Sequence, residues 1–230
     1  MKKLISCCIV ALLSVAMYAQ KDVTTFLGIP VDGSKNQIEK KIIAKGFTKS
    51  DDGYYEFLSG EFNGTSVRIY IGTNKNKVYL IVVQDAYPRN EENIKTRFNT
   101  LVSQFMKNKR YIALKDYTLS EDEDISYGMS VLKKHYEAVF YQVPDITKLN
   151  AATLAKIKEE LKDKYTTKQI DNPTEEIKKE MIDIAIKTDT ELLSKKPVWV
   201  HIYKYKNESD LYRITISYEN EYNRAHGEDL

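Results

Sequence analysis

The stretch VWVHIYKY, residues 198–205, decides how the fold is read, because its side chains alternate in character from one position to the next. Three aliphatic side chains share one side of an extended strand: Val198, Val200 and Ile202. The rings share the opposite side: Trp199, His201, Tyr203 and Tyr205. A period of two is typical of a strand with one buried face. The pattern therefore predicts a strand whose aliphatic side faces the core.

A second stretch with the same alternation follows at residues 211–218. Its larger apolar side chains share one side of the strand: Tyr212, Ile214, Ile216 and Tyr218. Arg213 falls on the other side, and the polar residues 207–210 between the two stretches predict a turn. Two alternating strands joined by a short turn are typical of a β-hairpin.

The side of this hairpin that carries the rings is the best candidate for a binding site. It holds the one tryptophan of the chain, and we call it the ring face: Trp199, His201, Tyr203, Tyr205 and Arg213. Amphipathic rings bury a large area at a small cost in conformational entropy, so they anchor protein partners or stack on sugars. The alternative is that a helix covers this side, which would make Trp199 an ordinary core residue.

The first half of the chain predicts one helix, three strands and a second helix. The first helix is expected to begin after Ser34, a good N-cap residue, and to end at Gly46. Three strands follow: 54–58, 67–71 and 78–84. Asn63-Gly64 predicts a tight turn within this meander. The second helix is expected to begin at Asn90 and carries an apolar stripe at helical spacing.

The second half predicts more helices before the closing hairpin. Ser120 is expected to cap a short helix whose first turn holds the acidic run Glu121–Asp124. A strand at 138–143 precedes a helix at 150–164. The pair Asn172-Pro173 then predicts the start of another helix, because asparagine caps well and proline suits the first helical position.

Together these elements predict an α+β protein in which helices pack on one face of an antiparallel sheet. The repeated ingredients indicate two units, at residues 20–110 and 111–230, whose strands can share one sheet. A chain of this length suits one large or two small domains.

The first nineteen residues have the three parts of a cleavable export signal. Lys2 and Lys3 supply positive charge, residues 9–17 are apolar, and Ala19 is the small residue expected at the cut. The apolar run is well short of the roughly twenty residues that span a bilayer. We therefore expect a periplasmic or secreted protein with no transmembrane segment, whose two cysteines leave with residues 1–19.

Charge and motifs exclude several classes of function. The chain has 35 Lys+Arg and 33 Asp+Glu, and removal of Lys2 and Lys3 leaves 33 of each, which argues against a nucleic-acid partner. The consecutive acids Glu121–Asp124 fit a helix start better than a calcium loop, which needs alternating ligands and a glycine. Because the histidines also lie on separate elements, we expect no metal, no cofactor and no catalytic residue that spacing identifies.

Two segments resemble a family of uncharacterised exported proteins from gut-dwelling Gram-negative bacteria. They are FLGIPVDG at residues 26–33, with the helix that follows it, and YENEYNRAHGEDL at residues 218–230. The helix and meander of residues 26–108 are also similar to units of the β-lactamase inhibitor protein-like fold. The resemblance implies helices on one face of an antiparallel sheet, and it implies no functional residue.

The sequence favours an exported, non-enzymatic binding or interaction module of the cell envelope. Its partner is expected to be a protein or an envelope glycan that contacts the ring face. The alternative is an envelope hydrolase that acts on glycan or peptide through two carboxylates in a cleft. A structural subunit of an envelope complex is a third interpretation.

Overall fold

The computed structural model describes residues 21–205 and 210–225. The predicted signal at residues 1–19, with its cut near Ala19, lies outside the described residues, as do residues 207–209 of the predicted turn. No helix within the described part of the chain is long and apolar enough to cross a membrane.

Eight antiparallel strands form one large sheet. Two short strands, which precede the others in the chain, form a separate hairpin. In chain order the strands are β1 Thr25–Phe26, β2 Ile29–Pro30, β3 Thr48–Asp51, β4 Glu56–Phe62, β5 Thr65–Asn74, β6 Lys77–Asp85, β7 Tyr111–Ala113, β8 Tyr136–Gln142, β9 Pro197–Lys204 and β10 Tyr212–Glu219. The order across the large sheet is β3-β4-β5-β6-β10-β9-β8-β7. Strand β10 therefore joins the meander β3–β6 to strands β7–β9.

Six helices occur among the described residues. They are α1 Lys35–Ile43, α2 Glu91–Lys107, α3 Ile125–Ser130, α4 Ile146–Leu161, α5 Thr167–Asp171 and α6 Glu175–Ser194. The molecule is α+β with an antiparallel sheet, which confirms the predicted fold class.

The chain divides into two compact units. Residues 23–143 and those from 193 onward contain the sheet with α1, α2 and α3, and residues 144–192 contain α4, α5 and most of α6. The helical unit has a small core of four buried side chains: Ile157, Leu161, Ile170 and Ile177. A hydrogen bond of 2.7 Å from Thr153 Oγ1 to Asp189 Oδ1 joins α4 to α6.

Helices α1 and α2 pack on one face of the sheet, which we call the inner face. Their apolar stripes are fully buried with the inner-face side chains in a single cluster: Ile38, Ile42, Ile94, Phe98, Leu101, Val198, Val200, Ile214 and Ile216. Local sequence explains both helix starts, because Ser34 forms a capping box with Gln37 and the Asn90 side chain accepts from the Asn93 N–H.

Three predicted helix starts are wrong. The acidic run does not begin a helix at Ser120, since α3 begins at Ile125 with Asp124 as its N-cap. Helix α4 begins at Ile146 rather than near residue 150, because the Asp145 carboxylate accepts the backbone N–H groups of Thr147 and Lys148. Asn172 does not cap α6 but ends α5, and α6 begins at Glu175 after Thr174, whose hydroxyl accepts from the Ile177 N–H. In each case the capping residue lay two to five positions from the one chosen, and either residue type caps well.

Two asparagines fasten the end of β10 to the start of the sheet-bearing unit. Asn220 is 1% exposed, and its Nδ2 donates to the carbonyl oxygen of Val31 at 2.7 Å. Asn223 Nδ2 lies 2.8 Å from Asp32 Oδ1 and 2.9 Å from the carbonyl oxygen of Val78. This asparagine clasp, Asn220 and Asn223, joins residues 31–32 to the segment after β10, which gives Asp32, Asn220 and Asn223 a structural role.

We expect the substitution Asn220→Ala to destabilise the sheet-bearing unit by about 1–3 kcal/mol, because it leaves the buried Val31 carbonyl without its donor. The free energy of unfolding, measured by urea denaturation, checks this. Asn36→Ala, at an exposed position of α1, is the control and should change that energy by less than about 0.5 kcal/mol. Equal effects of the two substitutions would contradict a role for the clasp.

Candidate interaction surface

The register between β9 and β10 brings the predicted ring-face residues together. Trp199, His201 and Tyr203 alternate along β9 on the side opposite the core, and Arg213 of β10 pairs with Tyr203. Tyr205 follows the end of β9, where its N–H donates to the Leu211 carbonyl oxygen at 2.7 Å. We call this side of the sheet the outer face. The five residues predicted from alternation thus lie on one surface.

Three of the rings form a row along β9. The centroids of Trp199 and His201 are 5.7 Å apart with planes tilted by 33°. The centroids of His201 and Tyr203 are 5.5 Å apart with planes tilted by 19°. The His201 and Tyr203 rings are therefore stacked, whereas the Trp199 ring is tilted against His201.

The ring face retains contact with solvent. Tyr203 is 52% exposed, and the His201 side chain is 22% exposed. Trp199 is half-buried and belongs to neither of the two clusters of buried side chains. Its surroundings therefore differ from those of an ordinary core residue such as Val200, which has no exposed surface.

Arg213 lies against the ring of Tyr205 at the edge of this row. Its guanidinium carbon is 4.1 Å from the Tyr205 ring centroid, a cation–π contact. Its Nη1 donates to Gln84 Oε1 of β6 at 3.2 Å. The Nε atom is buried without a hydrogen-bond partner among the described residues. Among the described residues, the charged guanidinium of Arg213 thus contacts a neutral ring and a neutral amide.

The outer face extends the ring face across the sheet in two rows, which sequence analysis missed. One row is mainly apolar and runs through cross-strand neighbours: Tyr70, Val82, Ser217, Trp199 and Val139. The adjacent row is polar: Ser59, Arg68, Gln84, Thr215, His201 and Glu137. The signal that predicts such rows is the alternation of each strand, but the rows themselves depend on registers between distant strands.

His201 is the titratable group inside the ring row. Its Nδ1 lies 3.6 Å from Glu137 Oε2 on β8. Burial lowers the pKa of His201 from its ordinary value of 6.5, and His135 acts in the same direction, while Glu137 opposes the shift. The imidazole is therefore neutral at pH 7, when it stacks between Trp199 and Tyr203.

The acidic run Glu121–Asp124 has structural partners. Glu123 Oε1 accepts from the Tyr136 hydroxyl at 2.5 Å and from Lys134 Nζ at 2.9 Å. The hydrogen bond from Tyr136 lowers the pKa of the Glu123 carboxyl. No group of three or more metal-ligating side chains occurs among residues 21–205 and 210–225.

The chain matches no family model, no curated protein and no solved structure. The resemblance to the exported family of gut-dwelling bacteria, and to the β-lactamase inhibitor protein-like fold, therefore stays a prediction. The residues of the outer face are the basis on which function is inferred.

His201 gives a pH-dependent prediction for stability. As the pH falls below 6.5, the unfolded imidazole binds a proton before the folded one does, so the folded state loses stability down to the lowered folded pKa. We expect His201→Gln to remove this loss. Urea unfolding of both proteins between pH 8 and pH 5 measures the difference in unfolding free energy, which should shift in favour of the variant toward low pH.

Burial is the largest cause of the lowered pKa of His201, so His135→Gln, which removes only the smaller effect of His135, should keep most of the loss. A difference between wild type and His201→Gln that stays constant over this pH range would mean that the imidazole titrates alike in both states.

Proposed function

We propose that this protein is an exported, non-enzymatic binding module of the cell envelope that contacts a protein partner through its ring face. The observation that carries the proposal is the partly exposed row of Trp199, His201 and Tyr203 on the outer face. Tryptophan, tyrosine and arginine dominate the energetics of protein interfaces, and all three meet here. The N-terminal pattern of residues 1–19 supports export.

The stacking of the rings favours a protein over a glycan partner. A sugar ring binds best to a free aromatic face, whereas His201 lies between the other two rings and stacks on Tyr203. Tyrosine and tryptophan each combine an apolar ring with one polar group, so the row offers a mixture of apolar contact and hydrogen bonding. Such a mixed surface fits the side chains of a folded partner or of an extended segment.

Site-specific photocrosslinking in intact cells tests this function. A photoreactive phenylalanine analogue at position 203 should form a discrete adduct with an envelope protein. The same analogue at position 54 is the matched control, since Tyr54 is 90% exposed but lies in the turn between β3 and β4, four to five strand spacings or roughly 19–24 Å from β9. The substitution Trp199→Ala should weaken the adduct at position 203 by tenfold or more, because it removes a large anchor.

The two positions separate the outcomes. Equal adducts at 203 and 54, or an adduct at 203 that Trp199→Ala leaves unchanged, would argue against the ring face. A heterogeneous adduct that glycan-degrading enzymes remove would point to a glycan instead.

One observation favours the hydrolase as a second candidate function. Glu219 and Glu221 both accept from Arg224 Nη1, each at 3.2 Å, beside a shallow depression lined by Tyr79 and Leu80. Burial raises the pKa of the Glu219 carboxyl, and Glu221 adds to the effect while Arg224 opposes it. A carboxyl whose pKa is raised, next to a second carboxyl, is the pattern used in glycoside hydrolysis.

Glu219→Gln tests this candidate directly. If the protein is a hydrolase of this kind, purified protein should release soluble fragments from cell-wall glycan, and the variant should lose that activity at least a hundredfold. The binding-module proposal expects no release by either protein. Glu159→Gln, in the helical unit, controls for loss of a surface carboxylate.

A further inference from the structure

Two arginines on the outer face have the same ring contact but different charge partners. Arg68 lies 4.8 Å over the Phe57 ring, and its Nη1 is 3.1 Å from the Asp52 carboxylate. Arg213 lies 4.1 Å over the Tyr205 ring, and the side-chain oxygen that it contacts is the neutral Oε1 of Gln84. Within the described chain, Arg68 is therefore neutralised and Arg213 is not.

The environment of Arg213 makes this missing charge important. The side chain is half-buried, and its Nε is buried without a hydrogen-bond partner in the described residues. A guanidinium that is partly removed from water gains more from a carboxylate than a fully solvated one does, because the local dielectric is lower. Arginine also offers a planar fork that matches a carboxylate with two hydrogen bonds.

The carboxylate nearest to the ring row on β8 does not serve Arg213. Glu137 contacts His201 at 3.6 Å and pairs with it across the β8–β9 ladder. Arg213 instead pairs with Tyr203, which is two residues further along β9 than His201. Among the described residues, the ring face therefore presents a cation that contacts no carboxylate, next to a 52% exposed tyrosine.

We propose that the protein partner carries an acidic side chain that binds Arg213, with a neighbouring apolar side chain packed on Trp199 and Val82. This inference rests on the proposed function and specifies the chemistry of the partner. The charge of Arg213 selects the acid, and the apolar row that continues from Trp199 through Ser217 to Val82 receives the second side chain. Arg213 and Ser217 are four residues apart on β10, or about 13 Å. An extended segment with an Asp or Glu about four residues from a large apolar residue therefore meets both requirements.

Peptide selection on the purified full chain tests the inference while assuming no particular partner. A random twelve-residue peptide library displayed on phage is selected on the wild-type protein, and individual peptides are then titrated against it. Trp199 is the one tryptophan of the chain, so a change in its emission reports binding at the ring face. We expect the selected peptides to share an acidic residue near an aliphatic or aromatic one.

Variants of both the protein and the peptide then test the contact itself. Arg213→Gln should lower the affinity for these peptides by about tenfold to a hundredfold, as expected for loss of a charged hydrogen-bonded pair. Arg213→Lys keeps the charge and should weaken them less. Replacing the acidic residue of the peptide by its amide should lower the affinity as much as Arg213→Gln does. The two changes together should lower the affinity little more than either change alone.

Arg68→Gln is the matched control, because it removes an arginine from the same face and from the same kind of ring contact. It should leave peptide affinity within about twofold. The urea unfolding midpoint of each variant verifies that it is folded.

The remaining outcomes each overturn a different statement. Peptides that change Trp199 emission but lack an acid, or that bind Arg213→Gln as well as wild type, would overturn the acidic contact and leave the ring face as a protein-binding surface. If no selected peptide changes Trp199 emission, the proposed function fails together with the inference. Binding of polygalacturonate at the ring face, with no peptide binding, would identify an anionic glycan and overturn the protein partner.

Discussion

The pairing of β9 with β10 in one particular register is the constraint on which the rest of the structure depends. It places Val200 opposite Ile216 in the core and Trp199 opposite Ser217 on the outer face. A shift of one residue would turn the rings into the helix-covered core and the aliphatic side chains into water. The hydrophobic cost of that exchange is several buried side chains, at about 1.5–3 kcal/mol each. Core stability and the ring face are thus set by the same register.

The outer face shows how polar and apolar groups can share one half-exposed surface. Cross-strand pairing aligns like with like, so that an apolar row and a polar row run side by side across the strands. In the polar row, Arg68 has the Asp52 carboxylate as its partner, and the neutral His201 lies beside Glu137. Against that background Arg213 is distinctive, because its contacts are a ring and an amide. Because of this difference, we infer that the outer face prefers a partner with a negative charge at this position.

Local patterns in the sequence predicted the parts of the fold that local physics controls. The alternation in 198–205 and 211–218 gave β9 and β10 to within one residue, and Asn63-Gly64 adopts the positive φ values of a tight hairpin turn. Strand β3 was missed because Thr48–Asp51 is short and polar and owes its conformation to pairing with β4. Helix α5 has five residues, too few for a visible apolar stripe. Other features could not be predicted from the sequence because they join residues that are far apart in the chain. Gln84, for example, is 129 positions from Arg213. The two residues meet only because the sheet order is β6-β10-β9, which differs from the order of the strands along the chain.

That sheet order also bears on how the chain is made and moved. During synthesis, β3–β6 emerge from the ribosome before β7–β9. The two groups of strands cannot join into one sheet until residues 212–219 emerge, because β10 is the strand between them. Contacts between residues far apart in the chain form slowly. Strands β3–β9 therefore stay without the strand that connects them until β10 has been synthesised. For a protein that is exported, as we propose, such a delay would keep the nascent chain loose enough to thread through a secretion pore before it closes on itself.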